Sequence, residues 1–298
     1  MKHSKVRRRE FLRIAAAALA TTALPALAAG SKTWQMRLAL CSVMFSELSV
    51  EDFCAQAAKL GFYEIDLWCP FDRCRHLEDA AKRLGAAGFK ELLAKHKLRA
   101  AAFTVYRTKT WSEGYPAFAK FIGECGGGVV VRESEYGPFP AAELKARMKA
   151  LLEQLKPEIE LAAQNRSCLV IENHGDALLN TLDSLRAFAE LNPAPDHLGL
   201  GLAPYHLQAI GASVEEAIRI CGPQLRFFYG WQRAEGTAQL PGIGPADFTP
   251  WIKALAGVDY RGPVSPFMHG MVKASEMVAN VRTSRNYLLK CAAQAKTS

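Results

Sequence analysis

The sequence predicts a single α/β domain built as a (β/α)8 barrel, in which eight parallel strands each lead into a helix. Strand-like and helix-like segments alternate eight times in the roughly 265 residues that follow an N-terminal leader, which is the usual size of such a barrel. The strand-like runs are apolar throughout, as in strands buried on both faces. An open doubly wound sheet is the alternative, but no Gly-x-Gly-x-x-Gly pattern follows the first strand.

Residues 1–29 are predicted to be an export signal that takes no part in the fold. Arg7–Arg13 combines paired arginines with Phe-Leu, Ile14–Leu24 is apolar and rich in alanine, and Ala26–Ala28 offers a small-x-small cleavage site. This pattern resembles a twin-arginine signal, which would place the protein in the periplasm or another extracytoplasmic compartment. The apolar stretch is too short for stable insertion into a bilayer.

The charge of the remaining chain argues against nucleic acid as a partner. The whole chain carries +8, of which residues 1–28 hold six basic residues and one acid, so that about +3 remains. No cluster of Lys and Arg with interleaved aromatic residues occurs in that body. All eight cysteines lie there without a Cys-x-x-Cys pair, and a small bridge between Cys69 and Cys74 stays an open alternative.

The predicted elements follow in a regular order. An apolar run from Met36 makes the first strand, and Ser49 with Glu51 and Asp52 gives the next helix a hydroxyl cap and an acidic first turn. That helix ends before Gly61, and a long amphipathic helix later precedes the most apolar strand. The predicted strands are 36–43, 62–67, 98–105, 126–131, 168–173, 197–202, 224–231 and 262–267. The predicted helices are 49–60, 83–96, 115–124, 140–163, 180–190, 213–221, 247–256 and 273–292.

The fifth strand carries the strongest functional signal. Its apolar run Cys168–Ile171 leads directly into Glu172, Asn173 and His174, and Gly175 then allows the backbone to turn. Ligands bind at the carboxyl ends of barrel strands, so these polar residues are predicted to lie at a site. The alternative is that Glu172 only caps the next helix or pairs with a lysine.

Other strand ends should deliver their side chains to the same mouth. A single histidine is more often structural than a ligand, but three histidines at predicted strand ends favour a shared carboxylate–imidazole site. Aromatic residues there have the faces that hold a sugar ring, although ordinary barrel packing would need the same residue types. The predicted catalytic residues are Glu172, His174 and Asp66; the predicted substrate-binding residues are His206, Tyr229, Trp231, Gln232 and Phe267; and the predicted metal ligands are Glu172, His206 and His269.

Several segments resemble one family of barrel enzymes. They are Gly61–Leu67, Leu169–Gly175, Leu198–Leu207, and Leu240–Gly244 followed by Gly262–Ser265. Together they resemble the sugar phosphate isomerase/epimerase family, the xylose-isomerase-like barrels, over residues 36–292. The resemblance implies one divalent metal, such as Mn, Zn, Mg or Fe, held by Glu, Asp, His and Glu on strands five to eight. It also implies proton transfer between adjacent sugar carbons through an enediolate.

This chain departs from that ligand pattern. Glu172 matches the strand-five ligand, whereas Ala203, Tyr229 and Phe267 stand at the other three ligand positions. His206, the companion of the strand-six Asp, is retained, and Gln232 stands where a further Asp is common.

Two functions are therefore weighed. The first is an exported isomerase or epimerase that moves a proton on a carbohydrate or keto-sugar derivative, with or without a metal. The second is a non-catalytic carbohydrate-binding barrel that has lost the metal site. A small-molecule carbohydrate is the expected partner in both.

Overall fold

The computed structural model describes residues 34–71, 73–106, 114–137 and 139–295. Its eight strands run parallel, each pairs with the next, and β8 pairs with β1, so the sheet is a closed barrel. The predicted fold class is confirmed. The predicted export signal lies outside the described residues. The strands are β1 (Arg37–Cys41), β2 (Glu64–Cys69), β3 (Arg99–Val105), β4 (Val129–Glu133), β5 (Cys168–Glu172), β6 (Leu198–Leu202), β7 (Leu225–Gly230) and β8 (Pro263–Pro266).

The helices cover the outside of the barrel and agree with the predicted order. Two short helices were not predicted, at His76–Asp79 and Pro204–Ala209. They are turns at strand ends, too short to show helical periodicity in the sequence. The helices are α1 (Val50–Lys59), α2 (His76–Asp79), α3 (Gly85–His96), α4 (Ala119–Glu124), α5 (Leu144–Gln164), α6 (Leu182–Leu191), α7 (Pro204–Ala209), α8 (Val214–Cys221), α9 (Thr249–Gly257) and α10 (Ala274–Ala295), with a π-helical turn at Ala80–Leu84.

Local sequence explains where several elements begin. The Ser49 side chain accepts a hydrogen bond from the Asp52 backbone at 3.0 Å, which confirms the predicted cap of α1. Thr181 and Ser184 form a reciprocal capping box at the start of α6. Pro204 opens α7, where its missing N–H costs no hydrogen bond.

The strand register sets two carboxyl groups side by side at the end of the barrel. Glu133 of β4 pairs with Glu172 of β5, and Glu172 pairs with Gly201 of β6. Paired residues of parallel strands project to the same side of the sheet. Gly201 leaves room there, because a Cβ at that position would lie 3.1 Å from a Val170 methyl carbon.

Two expectations from the sequence concern membrane insertion and disulfide bonding. Among the described helices, none is long and apolar enough to cross a membrane. All eight cysteines are free thiols, including Cys69 and Cys74, so the bridge left open by the sequence is absent here.

A buried ion pair joins the barrel to α5. The Nη1 of Arg132, at the end of β4, donates to both carboxylate oxygens of Glu158 on α5, at 2.8 and 2.9 Å. Both side chains are buried. Breaking such a pair leaves a charge without a partner in a dry environment, which costs more than the pair gains.

We expect Glu158→Gln to lower the free energy of unfolding by about 3 kcal/mol, because Arg132 loses its counter-charge. Urea denaturation at neutral pH measures the change. The matched control is Glu153→Gln, whose side chain on the same helix is 67% exposed and which should change stability by less than about 0.5 kcal/mol. Equal effects of the two substitutions would contradict this assignment.

Candidate active site

The carboxyl ends of β2, β5 and β7 bring Asp66, Glu172 and Tyr229 into one electrostatic cluster. All three side chains are buried, and the charges of both acids act on the Tyr229 phenol. Asp66 lies 106 positions before Glu172 in the chain, and Tyr229 lies 57 positions after it. The closed barrel is what brings them together.

Glu172 is a buried acid surrounded by other acids and phenols. Its side chain accepts a hydrogen bond from the hydroxyl of Tyr106, which follows β3. Burial raises the pKa of Glu172 to about 8; the hydroxyls of Tyr106 and Tyr229 oppose this rise, and the charges of Glu133 and Asp66 add to it. Glu172 therefore holds a proton through much of the neutral range.

Asp66 is a second buried carboxyl with two hydrogen-bond donors. The indole N–H of Trp68 donates to it at 2.5 Å and the hydroxyl of Thr104 donates at 2.9 Å. Burial raises the pKa of Asp66 to about 7, although both hydrogen bonds favour the ionised form. Asp66 is fixed by these partners and perturbs Glu172 through its charge.

The two phenols stay protonated near neutral pH. Burial, with a contribution from Glu172, raises the pKa of Tyr106 and of Tyr229 well above the usual value. The Tyr229 hydroxyl is buried and makes no hydrogen bond of standard geometry with the described part of the chain. It is consequently a donor available to an oxygen atom of a ligand.

The histidines form a separate group further along the mouth. The rings of His174 and His206 lie 4.0 Å apart, and Nδ1 of His174 is 2.8 Å from the Gly175 carbonyl. Burial, together with the charges of His174 and His269, lowers the pKa of His206 to about 3. His206 is therefore neutral, and its buried Nε2 has no partner among the described residues.

Aromatic rings line the same end of the barrel. Tyr205 stacks on Trp231 at 4.2 Å, and Phe267 lies 4.9 Å from Trp231 and stacks on Trp68 at 5.3 Å. His269 packs against this group, 4.8 Å from Trp231. These contacts explain why the sequence has aromatic residues here, and a sugar ring would need the same surfaces.

Two glutamines organise the loops beneath these rings. The amide of Gln232 donates to the Leu240 carbonyl at 2.9 Å and accepts from the Ala246 backbone at 2.6 Å, so it holds the loop after β7. Gln239 accepts from the Trp231 indole at 2.8 Å and from the His269 backbone at 3.1 Å. Gln232, predicted to bind substrate, thus has its amide engaged by the backbone.

The predicted metal ligands are not brought together. Among the described residues, no three His, Cys, Asp or Glu side chains are placed to hold an ion. The charges that perturb Glu172 are those of Glu133 and Asp66, whereas those that perturb His206 are the other two histidines. At the three other positions where the sequence resemblance implies ligands, Ala203, Tyr229 and Phe267 carry a methyl, a phenol and a phenyl ring, so these side chains do not fit a divalent ion.

Four residues of this mouth lay outside the predicted site. Tyr106 follows directly on β3, so the strand-end rule applied to the third strand would have found it. Thr104 lies in β3, whose other residues after Arg99 are apolar. Phe71 and Gln239 lie in loops, where only the three-dimensional structure reveals contacts such as the 5.2 Å approach of Phe71 to His269.

The raised pKa of Glu172 makes stability depend on pH. An unfolded glutamate ionises near 4.5 and the folded one near 8, so the free energy of unfolding should fall as pH rises through this window. We expect the free energy of unfolding of Glu172→Gln to equal that of the wild type near pH 4 and to be higher by at least about 1 kcal/mol above pH 8. Denaturation at several pH values measures this, with the exposed Glu235→Gln as the control. A wild type that is more stable at pH 8 would contradict the assignment.

The donor set also predicts weak metal binding. We expect the wild-type protein without a histidine tag and the double variant His206→Ala/His269→Ala to retain equally little zinc or manganese after dialysis, because their imidazoles do not converge with Glu172. Elemental analysis measures the content. A stoichiometric ion that is lost in the double variant would restore the predicted ligand set.

Known proteins were compared with this chain. Residues 54–291 match the family described as xylose isomerase-like TIM barrel. No curated protein matches significantly. A D-allulose 3-epimerase structure from Methylomonas sp. is 17% identical over 87% of this chain and 98% of that chain, with a TM-score of 0.66. The apo 3-keto-D-glucoside 4-epimerase YcjR from E. coli is 17% identical over 86% and 100%, with a TM-score of 0.65.

A third similar structure is the IolI protein with a bound zinc atom. It is 14% identical over 87% of this chain and 99% of that chain, with a TM-score of 0.66. At such identities these likenesses show the fold. The family match covers most of the sequence, and with the closed eight-stranded barrel it leads to one conclusion: this chain belongs to the xylose isomerase-like TIM barrel family.

Proposed function

We propose that this protein is an isomerase or epimerase that moves a proton on the carbon skeleton of a carbohydrate or keto-sugar, with Glu172 as the acid–base group. The observation that carries the proposal is the Glu172 carboxyl, buried against two phenols with a pKa of about 8. General acid–base groups work best when their pKa lies near the working pH. A purely structural carboxyl at this place would more simply be paired with a cation.

The proposed reaction begins at a carbon next to a carbonyl. The ionised fraction of Glu172 takes the proton from that carbon, and the electron pair moves onto the carbonyl oxygen. The Tyr229 hydroxyl, which also acts on the Glu172 carboxyl, donates to the negative charge that develops there. Protonated Glu172 then returns the proton to the neighbouring carbon while the hydroxyl proton of that carbon moves to the former carbonyl oxygen, which completes an isomerisation. An epimerisation needs a second acid that protonates the opposite face of the first carbon, and the buried Asp66 carboxyl, with a pKa of about 7, is the candidate for this step.

Substrate recognition rests on the surrounding rings and on one imidazole. Trp231 and Phe267 provide apolar faces for the sugar ring. The neutral His206 has a buried Nε2 without a partner in the described chain, which suits a hydrogen bond with a sugar hydroxyl. Two of the similar structures are enzymes that epimerise D-allulose and a 3-keto-D-glucoside, which supports a sugar or keto-sugar substrate.

The proposal also covers where the protein acts and whether its mechanism uses a metal. The twin-arginine pattern of the first 29 residues supports export, so that the reaction would take place outside the cytoplasm. The family's metal chemistry is not part of the mechanism, because the side chains at positions 203, 229 and 267 do not fit an ion.

A non-catalytic carbohydrate-binding barrel is the second candidate. The replacement of three ligand positions by Ala203, Tyr229 and Phe267 favours it, since aromatic walls bind sugars without chemistry. In that case Glu172 would accept hydrogen bonds from sugar hydroxyls only.

Hydrogen exchange with solvent tests the proposal. D-allulose and a 3-keto-D-glucoside are incubated with enzyme in deuterated water, and deuterium at the carbon next to the carbonyl is measured by NMR. We expect incorporation that falls at least about 100-fold in Glu172→Gln, because the base is lost. Below the pKa of about 8, the rate should rise about tenfold per pH unit, because only the ionised carboxylate is the base.

Glu235→Gln, an exposed substitution in the loop after β7, is the control and should keep the wild-type rate. Calorimetry with the same sugars separates the two candidates. Sugar binding without any deuterium incorporation would establish the binding barrel, whereas incorporation that persists in Glu172→Gln would remove Glu172 from the mechanism.

A further inference from the structure

A second cavity lies at the opposite end of the barrel, where the strands begin. Its volume is about 550 Å³, within the range of small-molecule sites. It is lined by the first residues of several strands, including Arg37 of β1 and Cys168 of β5, and by the segment that leads into β8. This end of the barrel is remote from Glu172 and plays no part in the proposed reaction.

Arg226 is the unusual residue of this cavity. One terminal nitrogen donates to the Pro195 carbonyl at 2.7 Å, but the Nε atom is buried and has no hydrogen-bond partner. In the part of the chain that the structure describes, no carboxylate lies within ion-pair distance of Arg226. A half-buried guanidinium without a counter-charge destabilises the folded state, because part of its hydration is lost and no ion pair replaces it.

The chain makes specific room for this arginine. A Cβ at Gly199 of β6 would lie 2.3 Å from the Cγ of Arg226 and 2.8 Å from the Gln224 carbonyl. The register between β6 and β7 also shifts between Leu200 and Gly201, next to this contact. A glycine and a strand irregularity together place the Arg226 side chain across β6 at the cavity.

The charges around the cavity leave a positive excess. Arg37 and Arg99 share a single carboxylate, Glu64, and Arg261 is paired with Asp259. Among these four arginines, Arg226 has no carboxylate of the described residues within ion-pair distance. Burial raises the pKa of the Cys168 thiol, Arg226 lowers it and Asp196 adds to the rise, but Asp196 forms no ion pair with Arg226.

We propose that this cavity binds a small organic oxyanion through the guanidinium of Arg226, with Arg37 and Arg261 contributing positive potential at its edge. The planar guanidinium has donors in the geometry that a carboxylate or a phosphate accepts, and the bound anion supplies the missing partner of Nε. The cavity volume leaves space for an organic group attached to that anion. The proposal is independent of the reaction at the other end of the barrel.

The two half-buried cysteines provide a positional test. Cys168 lines the cavity and Cys125 does not, whereas the other six cysteines are buried. The folded full-length protein is treated with N-ethylmaleimide in inorganic phosphate, in citrate, or in chloride of equal ionic strength, and mass spectrometry measures the rate at each cysteine. With the anion at about twice its Kd, labelling of Cys168 should slow about threefold, and labelling of Cys125 should not change.

Variants then assign the effect to the arginine. Arg226→Gln should abolish the protection of Cys168. Arg226→Lys keeps the positive charge but loses the planar guanidinium with its paired donors, so it should weaken the protection. In the control Arg233→Gln, which changes a residue in the loop after β7, the anion should protect Cys168 as it does in the wild type. Protection by citrate, by phosphate or by both identifies the anion class. Failure of both anions to protect wild-type Cys168, equal protection of Cys125, or full protection in Arg226→Gln would overturn the proposal.

Discussion

The parallel pairing of β8 with β1 is the constraint on which the rest of the structure depends. Leu38 pairs with Val264 across this seam, and the sheet thereby becomes a ring without free edges. Because all eight strands point the same way, their carboxyl ends form a single mouth. A glutamate of the fifth strand and an aspartate of the second thus become electrostatic neighbours, and no local sequence feature could achieve this.

The mouth of this barrel differs in a chemically consistent way from the ligand pattern that the sequence resemblance implies. A divalent ion would stabilise an adjacent carboxylate and lower its pKa, whereas burial among aromatic rings raises it, although the Tyr229 hydroxyl opposes part of that rise. Tyr229 and Phe267 stand at two of the ligand positions, and the pKa of Glu172 lies near 8. The same substitutions that remove metal donors therefore favour a carboxyl group that can exchange a proton near neutral pH.

The sequence was sufficient for the fold because buried parallel strands leave continuous apolar runs, and every predicted strand overlaps an observed one. It also predicted that Asp66 and Glu172 lie near each other, and in the structure both belong to the buried cluster in which the charge of Asp66 acts on Glu172. It could not show that the amide of Gln232 is engaged by its own loop, or that His206 packs against His174 rather than toward Glu172. Side-chain direction depends on packing with distant residues. Those contacts are encoded jointly by several segments and not by any single motif.

The amide of Gln239 has a consequence for the thermodynamics of ligand binding. By bonding to both the Trp231 indole and the His269 backbone, it fixes the loops after β7 and β8 relative to each other before any ligand arrives. Side chains that are already immobile lose little conformational entropy when a ligand docks on them. This half of the mouth is preorganised, so contacts made there contribute to affinity with little penalty from ordering.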